Sequence, residues 1–169
     1  MSKITKFKTL HIIRHAKSEL EQECSDYDRG LNKRGFRDAA LIGEYLATHN
    51  YTIEHVYCSS ARRARLTCDA LNRHIEVPAQ KINYVDALYL ASLNTLVSII
   101  ENIDNHDDQV AIIGHNPGLT ELCNYLTGDY LQNLPTCAVY SVRFCVDDWQ
   151  AIAQESGNMV SLVTPRQLK

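Results

Sequence analysis

The sequence predicts an α/β fold in which a mainly parallel sheet lies between two layers of helices. Short apolar runs at residues 9–14 and 109–113 are bounded by turn residues, a pattern typical of strands buried on both faces. Helical apolar spacing alternates with such runs through the first two thirds of the chain. The last third has apolar or alternating runs joined by tight turns, which favours antiparallel strands at one edge of the sheet. We therefore expect a three-layer α/β/α sandwich forming one domain over residues 1–169.

The individual elements follow from the same patterns. The expected parallel strands are residues 9–14, 55–58, 82–85 and 109–113. The expected helices before the last of these strands are residues 32–48 (capped by Asn32), 61–74 and 92–103. A fourth helix should have Asn116 as its cap, Pro117 in its first turn and Gly128 at its end. The expected antiparallel runs are residues 136–146, 149–153 and 160–163. The polar stretch 17–30 is long enough to be a functional loop.

Composition narrows the class of protein. A net charge of −3 over 169 residues gives no electrostatic reason to expect nucleic acid or an anionic membrane as a partner. No apolar stretch reaches the roughly 18 residues of a membrane span, and the first residues lack the apolar core of a signal peptide. The six cysteines are widely spaced, with no C-x-x-C pair, so we interpret them as reduced core residues of a cytoplasmic protein.

Two histidines follow predicted strands at the edge where open α/β sheets bind ligands. Arg14 and His15 end the first run, and His115 follows the fourth run just before a helix, whose amino end attracts anions. A neutral imidazole can attack phosphorus if a backbone carbonyl holds its other nitrogen, and arginine suits phosphate oxygens. The alternatives are a packing histidine beside a surface arginine, and a plain strand-to-helix turn. The recurrence on two strands favours a phosphate site.

A third basic segment opens the predicted helix after the second strand. Three arginines lie within four residues there, which is usually a solvated helical face. Arg63 shares a face with Thr67 at i, i+4 beside the apolar stripe, whereas Arg62 and Arg65 point elsewhere. We therefore expect Arg63 to turn toward the strand ends and the other two to be surface charges.

Taken in order, these motifs resemble those of the histidine phosphatase (phosphoglycerate mutase-like) superfamily, and within it the short SixA-type phosphohistidine phosphatases. The matching motifs are R-H-A-K-S at residues 14–18, D-R-G-L-N-K-R-G at 28–35 with Asp38-Ala39, S-x-x-x-R-A-x-x-T at 59–67, G-H-N-P-G at 114–118 and T-P-R at 164–166. The match covers nearly the whole chain. It departs at Gly30, where proline is common, and at Ala16, where glycine is commoner.

The resemblance implies a set of roles. His15 would be the nucleophile that becomes transiently phosphorylated, Arg14 and Arg63 would clamp the phosphoryl oxygens, and His115 would complete the pocket. The neighbouring residues expected to bind substrate are Lys17, Ser18 and Asn116. No metal or cofactor is expected, because arginines in the pocket would repel a cation.

The general acid is the least defined part of the site. Larger relatives have a glutamate after the third strand, and Asp86 occupies that neighbourhood here, although a surface or helix-entry aspartate explains it equally well. Glu19 and Glu121 are weaker candidates. A weak acid and no sizeable insertion over the pocket favour protein-borne phosphohistidine, whose leaving nitrogen can already carry a proton.

Several other functions stay open at this point. The chain could hydrolyse small phosphoesters or other phosphoproteins, or bind phosphoproteins without catalysis; a phosphomutase is disfavoured because nothing roofs the pocket. Cys137 and Arg143 have the C-x5-R spacing of cysteine phosphatases, but the residues between them lack glycine and are typical of a strand.

Overall fold

A computed structural model describes residues 6–20 and 24–169 and contains one six-stranded sheet. In chain order its strands are β1 (Lys8–Arg14), β2 (His55–Ser59), β3 (Ile82–Val85), β4 (Gln109–Gly114), β5 (Val139–Phe144) and β6 (Gly157–Val163). The spatial order is β3-β2-β4-β1-β5-β6. The first four strands in that order are mutually parallel, β5 pairs antiparallel with β1, and β6 pairs antiparallel with β5. The predicted mixed sheet is confirmed.

Helices cover both faces of this sheet. They are α1 (Lys33–Thr48), α2 (Arg62–Ile75), α3 (Leu93–Glu101) and α4 (Gly118–Thr127). The apolar faces of α1 and α2 pack in one core cluster, and those of α3 and α4 pack in the other. The predicted three-layer α/β/α arrangement is therefore confirmed. None of the helices in the described ranges is long and apolar enough to span a membrane.

Side-chain caps set the start of two helices, and the first of them, at Asn32, is predicted from the sequence. The Asn32 carboxamide accepts a hydrogen bond from the Gly35 amide at 2.9 Å, and Ser92 accepts one from the Thr95 amide at 3.3 Å. These bonds satisfy backbone donors that the first helical turn leaves free.

Two predicted elements are wrong. Asn116 does not cap α4, which begins at Gly118, and Pro117 is the cap residue before the helix and not part of its first turn. The Asn116 side-chain oxygen instead accepts from the Thr120 hydroxyl at 2.9 Å. Residues 149–153 form no strand, because Trp149 opens a short 3₁₀-helix whose buried indole donates to the Asp107 carbonyl at 2.8 Å. The run is apolar because one aromatic side chain packs in the core. Sequence periodicity cannot distinguish such a short apolar run from a strand.

The cysteines only partly match the expectation of core residues. Cys58, Cys68, Cys123 and Cys137 are buried, and burial raises the pKa of Cys58 and Cys137 well above that of a free thiol. Cys24 and Cys145 are exposed, so they are surface residues.

Candidate active site

Parallel pairing of β1 with β4 brings the two predicted site histidines together. Arg14 lies opposite Gly114 in the register, and the His15 amide donates to the Gly114 carbonyl at 3.0 Å. The imidazole centroids of His15 and His115 are 5.1 Å apart, and both residues are buried. Residues far apart in the chain thus meet at the carboxyl edge of the sheet, where ligands bind in this class of fold.

The hydrogen bonds of His15 fix which of its nitrogens carries the proton. Nδ1 lies 2.8 Å from the Ala16 carbonyl oxygen, which can only accept, so Nδ1 is the donor. Nε2 in turn accepts from Nε of Arg63 at 3.3 Å. Burial, helped by the nearby charges of Arg63 and Arg14, lowers the pKa of His15 to about 4, although the hydrogen bond to Ala16 acts to raise it. His15 is therefore a neutral imidazole at pH 7 whose Nε2 lone pair faces the pocket arginine.

Arg63 is the arginine of the α2 segment that enters the site. It is buried, and its neighbours Arg62 and Arg65 on the same helix differ: Arg62 is exposed and Arg65 lies against the Tyr84 ring at 5.1 Å, away from the histidines. Thr67 supports Arg63 one turn further on, because the Thr67 hydroxyl donates to the Arg63 carbonyl at 2.7 Å and accepts from the Ala16 amide at 2.9 Å. This threonine links the backbone after the nucleophile candidate to the backbone of the arginine.

Arg14 is held from the opposite side of the site. Its NH1 donates to the Leu134 carbonyl at 2.9 Å, and the same carbonyl accepts from the Asn116 carboxamide at 2.9 Å. The buried Nε of Arg14 has no hydrogen-bond partner within residues 6–20 and 24–169. Burial also lowers the pKa of Arg14 from its usual value, although an arginine stays charged at neutral pH. The orphaned donor is available to an incoming oxyanion.

His115 completes the group of basic side chains. Its Nε2 lies 2.8 Å from the Ser59 hydroxyl, and its buried Nδ1 has no partner within the described part of the chain. Burial, with a smaller contribution from His15, lowers the pKa of His115 to about 3. The ring of Tyr89 packs edge-on against it with centroids 5.5 Å apart.

Two residues in contact with this group were not predicted from the sequence. The Asp26 carboxylate accepts from Arg63 NH2 at 3.0 Å and from the Tyr89 hydroxyl at 2.6 Å. Asp26 lies in the polar loop, and Tyr89 follows the short 3₁₀-helix after β3. Neither has a spacing that marks it as functional. Ser59 belongs to the S-x-x-x-R-A-x-x-T motif, but the motif alone assigns it no role.

The remaining predicted site residues form no hydrogen bond with His15 or His115 in the part of the chain that the structure describes. Asp86 is exposed, and its carboxylate accepts from the Ser60 hydroxyl. Lys17 is exposed, and Ser18 forms a bridge to Leu31. The Asn116 side chain is used in holding Leu134, so its contact with a substrate and the acid role of Asp86 stay predictions.

Comparison with known proteins identifies the family of this chain. The sequence model of the histidine phosphatase superfamily (branch 1) matches residues 10–87. An uncharacterized protein of Mycobacterium leprae is 32% identical over 167 residues, covering 91% of this chain and 100% of that protein. A chloroplastic protein of Arabidopsis thaliana is 25% identical over 157 residues, covering 88% of this chain and 72% of the other. The chain belongs to the histidine phosphatase superfamily.

Solved structures relate the fold to one branch of that superfamily. SixA from Nakamurella multipartitia superposes with a TM-score of 0.83 at 23% identity, covering 94% of this chain and 96% of its own. A protein histidine phosphatase SixA complexed with tungstate has a TM-score of 0.82 at 22% identity, covering 95% and 99%. A mycobacterial glucosyl-3-phosphoglycerate phosphatase, by contrast, has a TM-score of 0.65 at 13% identity, covering 92% and 98%. The short SixA-type fold is the one this chain adopts.

Proposed function

We propose that this protein is a phosphatase that transfers a phosphoryl group from a phosphohistidine side chain of another protein to His15, and then to water. The observation that carries this proposal is the geometry at His15. Its Nδ1 is held by the Ala16 carbonyl at 2.8 Å while its Nε2 accepts from buried Arg63 at 3.3 Å. The neutral His15 nucleophile and the Arg63 cation, which can bind an anion, are therefore in direct contact.

The reaction follows from these positions in two steps. In the first, the Nε2 lone pair of His15 forms a bond to phosphorus while the bond from phosphorus to the leaving nitrogen breaks and its electrons stay on that nitrogen. In the second, water attacks the phosphorus of phospho-His15, which releases inorganic phosphate, a proton and the neutral imidazole. Arg14 and Arg63 hold the equatorial oxygens in both steps, because charge in phosphoryl transfer is spread over those atoms. The neutral His115 lies beside them.

The choice of phosphohistidine rests on the leaving group. A phosphoester must expel an alkoxide, so a positioned acid contributes roughly 10²–10⁴-fold, whereas a leaving imidazole can already carry a proton. Asp86 is exposed and its carboxylate is bound by Ser60. A SixA protein that shares this fold is named as a protein histidine phosphatase. Weak acid assistance and this likeness both favour a phosphohistidine substrate.

The test is a comparison of turnover on a phosphohistidine peptide, a phosphotyrosine peptide and p-nitrophenyl phosphate. We expect kcat/KM to be highest for the phosphohistidine peptide. An acid-labile, base-stable phosphoenzyme should be trapped in the wild type and be absent in His15→Ala. His106→Ala is the matched control, because its side chain is 94% exposed and hydrogen-bonds to Asp104 at the far end of the sheet's strands. Equal or better turnover of the phosphotyrosine peptide, or of an alkyl phosphate assayed beside it, refutes the phosphohistidine substrate, because those leaving groups need protonation. Tight binding without turnover identifies a phosphoprotein-binding module.

A second candidate function is hydrolysis of small phosphoesters with Asp86 as the general acid. Asp86 opens the 3₁₀-helix that leads to Tyr89, whose ring contacts His115, so it lies on the same side of the sheet edge. In that case Asp86→Asn lowers kcat for p-nitrophenyl phosphate far less than for an alkyl phosphate, because nitrophenolate needs no protonation. Asp69→Asn, at another exposed carboxylate, should leave both rates unchanged.

We also propose that residues 1–169 act as one domain in the cytoplasm. One sheet spanning residues 8–163 and the unpaired state of all six cysteines support this. The reaction as written uses no metal or cofactor, and the described residues contain no group of three or more His, Cys, Asp or Glu side chains that could hold a metal ion.

A further inference from the structure

One carboxylate joins three separate segments around the candidate site. Asp26 accepts from the Tyr89 hydroxyl at 2.6 Å, from Arg63 NH2 at 3.0 Å and from Arg29 NH2 at 2.6 Å. Its backbone carbonyl also accepts from Arg63 NH1 at 2.6 Å. Asp26 thus binds α2, the segment after β3 and its own loop at one place.

These contacts constrain the Arg63 guanidinium in a specific orientation. A guanidinium has five N–H donors in one plane, and two of those of Arg63 are bound by Asp26. A third, on Nε, points to Nε2 of His15 at 3.3 Å. The plane of the Arg63 guanidinium is therefore set by Asp26 on one side and by His15 on the other.

The aromatic ring of Tyr89 extends the same contacts to the second histidine. Its ring lies 5.9 Å from the Arg63 guanidinium carbon and packs edge-on against His115. A hydrogen bond from the Tyr89 hydroxyl to a mobile carboxylate would leave this ring free to rotate, but Asp26 is bound by two arginines as well. Hydrogen bonds thus connect Tyr89 through Asp26 to both Arg63 and Arg29.

We propose that Asp26 is a positioning residue that orients the Arg63 guanidinium for phosphoryl transfer, with Tyr89 holding the Asp26 carboxylate in place. The inference rests on the proposed function for its substrate, but the orientation of Arg63 can be tested without turnover. The proposal also predicts a change in anion affinity opposite in direction to the one expected from charge alone. Removing a negative charge beside an anion pocket should strengthen anion binding through charge alone, whereas losing the support of Arg63 should weaken it.

Asp26 is unsuited to a role as proton donor. The hydrogen bond from Tyr89, together with Arg29 and Arg63, lowers the pKa of the Asp26 carboxyl to about 2. The same contact raises the pKa of the Tyr89 hydroxyl. The carboxylate is therefore ionised throughout the neutral range, as an orienting anion requires.

The experiment compares Asp26→Asn with Asp28→Asn. Asp28 is two residues away in the same turn, but it is exposed and its carboxylate accepts from Ser25 at 2.6 Å instead of from an arginine. We expect Asp26→Asn to lower kcat/KM on a phosphohistidine peptide by about ten- to a hundredfold, mostly through kcat, since misplacing a catalytic group by an ångström has effects of that order. Asp28→Asn should match the wild type.

Tyr89→Phe and the double variant test the coupling. Tyr89→Phe keeps the ring and removes only the hydroxyl, and it should lower kcat/KM by about threefold to tenfold. The double variant Asp26→Asn, Tyr89→Phe should lose no more than Asp26→Asn alone, because the hydroxyl acts through the carboxylate. If Asp26→Asn does not fold, an unchanged kcat/KM in folded Tyr89→Phe overturns the proposal.

Tungstate binding, measured by calorimetry, separates this inference from the substrate assignment. Asp26→Asn should bind tungstate about tenfold more weakly than the wild type, even if no tested phosphoryl substrate is turned over. Unchanged or tighter tungstate binding, or unchanged or increased kcat/KM, overturns the proposal. Tighter binding in particular would show that Asp26 only repels the anion.

Discussion

Arg63 and Arg62 are adjacent in sequence but occupy opposite environments, so replacing each with alanine gives a paired test of the site. Arg63 is buried and donates to His15 and Asp26. Arg62 is exposed, and its NH1 lies 3.4 Å from the Asp28 carbonyl. The two substitutions remove the same atoms from the same helix. Any difference between them reports on the environment of each side chain.

The expected loss for Arg63→Ala follows from its contacts. Removing a charged donor from a phosphoryl-transfer site lowers kcat by about 10³–10⁵-fold, which corresponds to roughly 4–7 kcal/mol of transition-state stabilisation. The same change breaks three hydrogen bonds, two of them to Asp26, which keeps Tyr89 and Arg29 as partners. We therefore expect a folding cost of about 2–3 kcal/mol, well below the sum for three isolated charged bonds.

The assay is kcat/KM on a phosphohistidine peptide together with thermal unfolding of each variant. For a chain of 169 residues, the folding cost of Arg63→Ala should lower Tm by about 5–10 °C, so the variant remains folded at 25 °C. Arg62→Ala should change the free energy of unfolding by less than about 0.5 kcal/mol and kcat/KM by less than about twofold. Equal losses in the two variants, or full activity in Arg63→Ala, would show that Arg63 does not bind the phosphoryl group.

Three further predictions concern His15, His11 and Asn116. The His15 imidazole should titrate near pH 4 in NMR spectra of the free protein, because burial and the arginines disfavour its cation, and a midpoint near 6.5 would contradict the buried geometry. Burial also lowers the pKa of His11 to about 4, so the unfolded chain binds more protons between about pH 4 and 6.5, and stability is lost as pH falls through that window; His11→Gln should reduce the slope by about 1.4 kcal/mol per pH unit in urea titrations. Asn116→Ala should lower kcat/KM by about tenfold without abolishing it, since the Leu134 carbonyl that holds Arg14 loses one donor; a rise in KM alone would instead favour direct substrate contact.

Sequence reasoning predicts the scaffold well because the strands and helices have strong periodic signals. The boundaries of the strand at Ile82–Val85 and of the helix ending at Thr48 agree with the structure. It fails where a short segment is defined by one tertiary contact. Trp149 is such a case, because its indole donates to the carbonyl of Asp107, a residue 42 positions away in the chain.

The site residues likewise fall into those that sequence reasoning can find and those that it cannot. His15 and His115 can be placed because both directly follow buried strands, and parallel pairing brings strand ends together. Helical spacing alone separates Arg63 from the arginines beside it in the sequence. Asp26 and Tyr89 cannot be found like this, since a contact across 63 positions leaves no periodic pattern in either segment. A loop residue that orients a catalytic group is defined by its three-dimensional contacts and has no sequence pattern of its own.

The balance of charge around the candidate site explains why a chain of net charge −3 can attract phosphate. Both imidazoles are neutral at pH 7, because burial lowers the pKa of each. Three guanidinium groups face or flank the pocket, from Arg14, Arg29 and Arg63, and the Asp26 carboxylate offsets one of them. Two uncompensated positive charges remain, which match the charge of a phosphoryl dianion. The carboxylate that orients Arg63 thus also leaves the pocket with a positive charge that balances the phosphoryl dianion. Replacing it changes position and charge together, which is why tungstate affinity and kcat must be measured on the same variants.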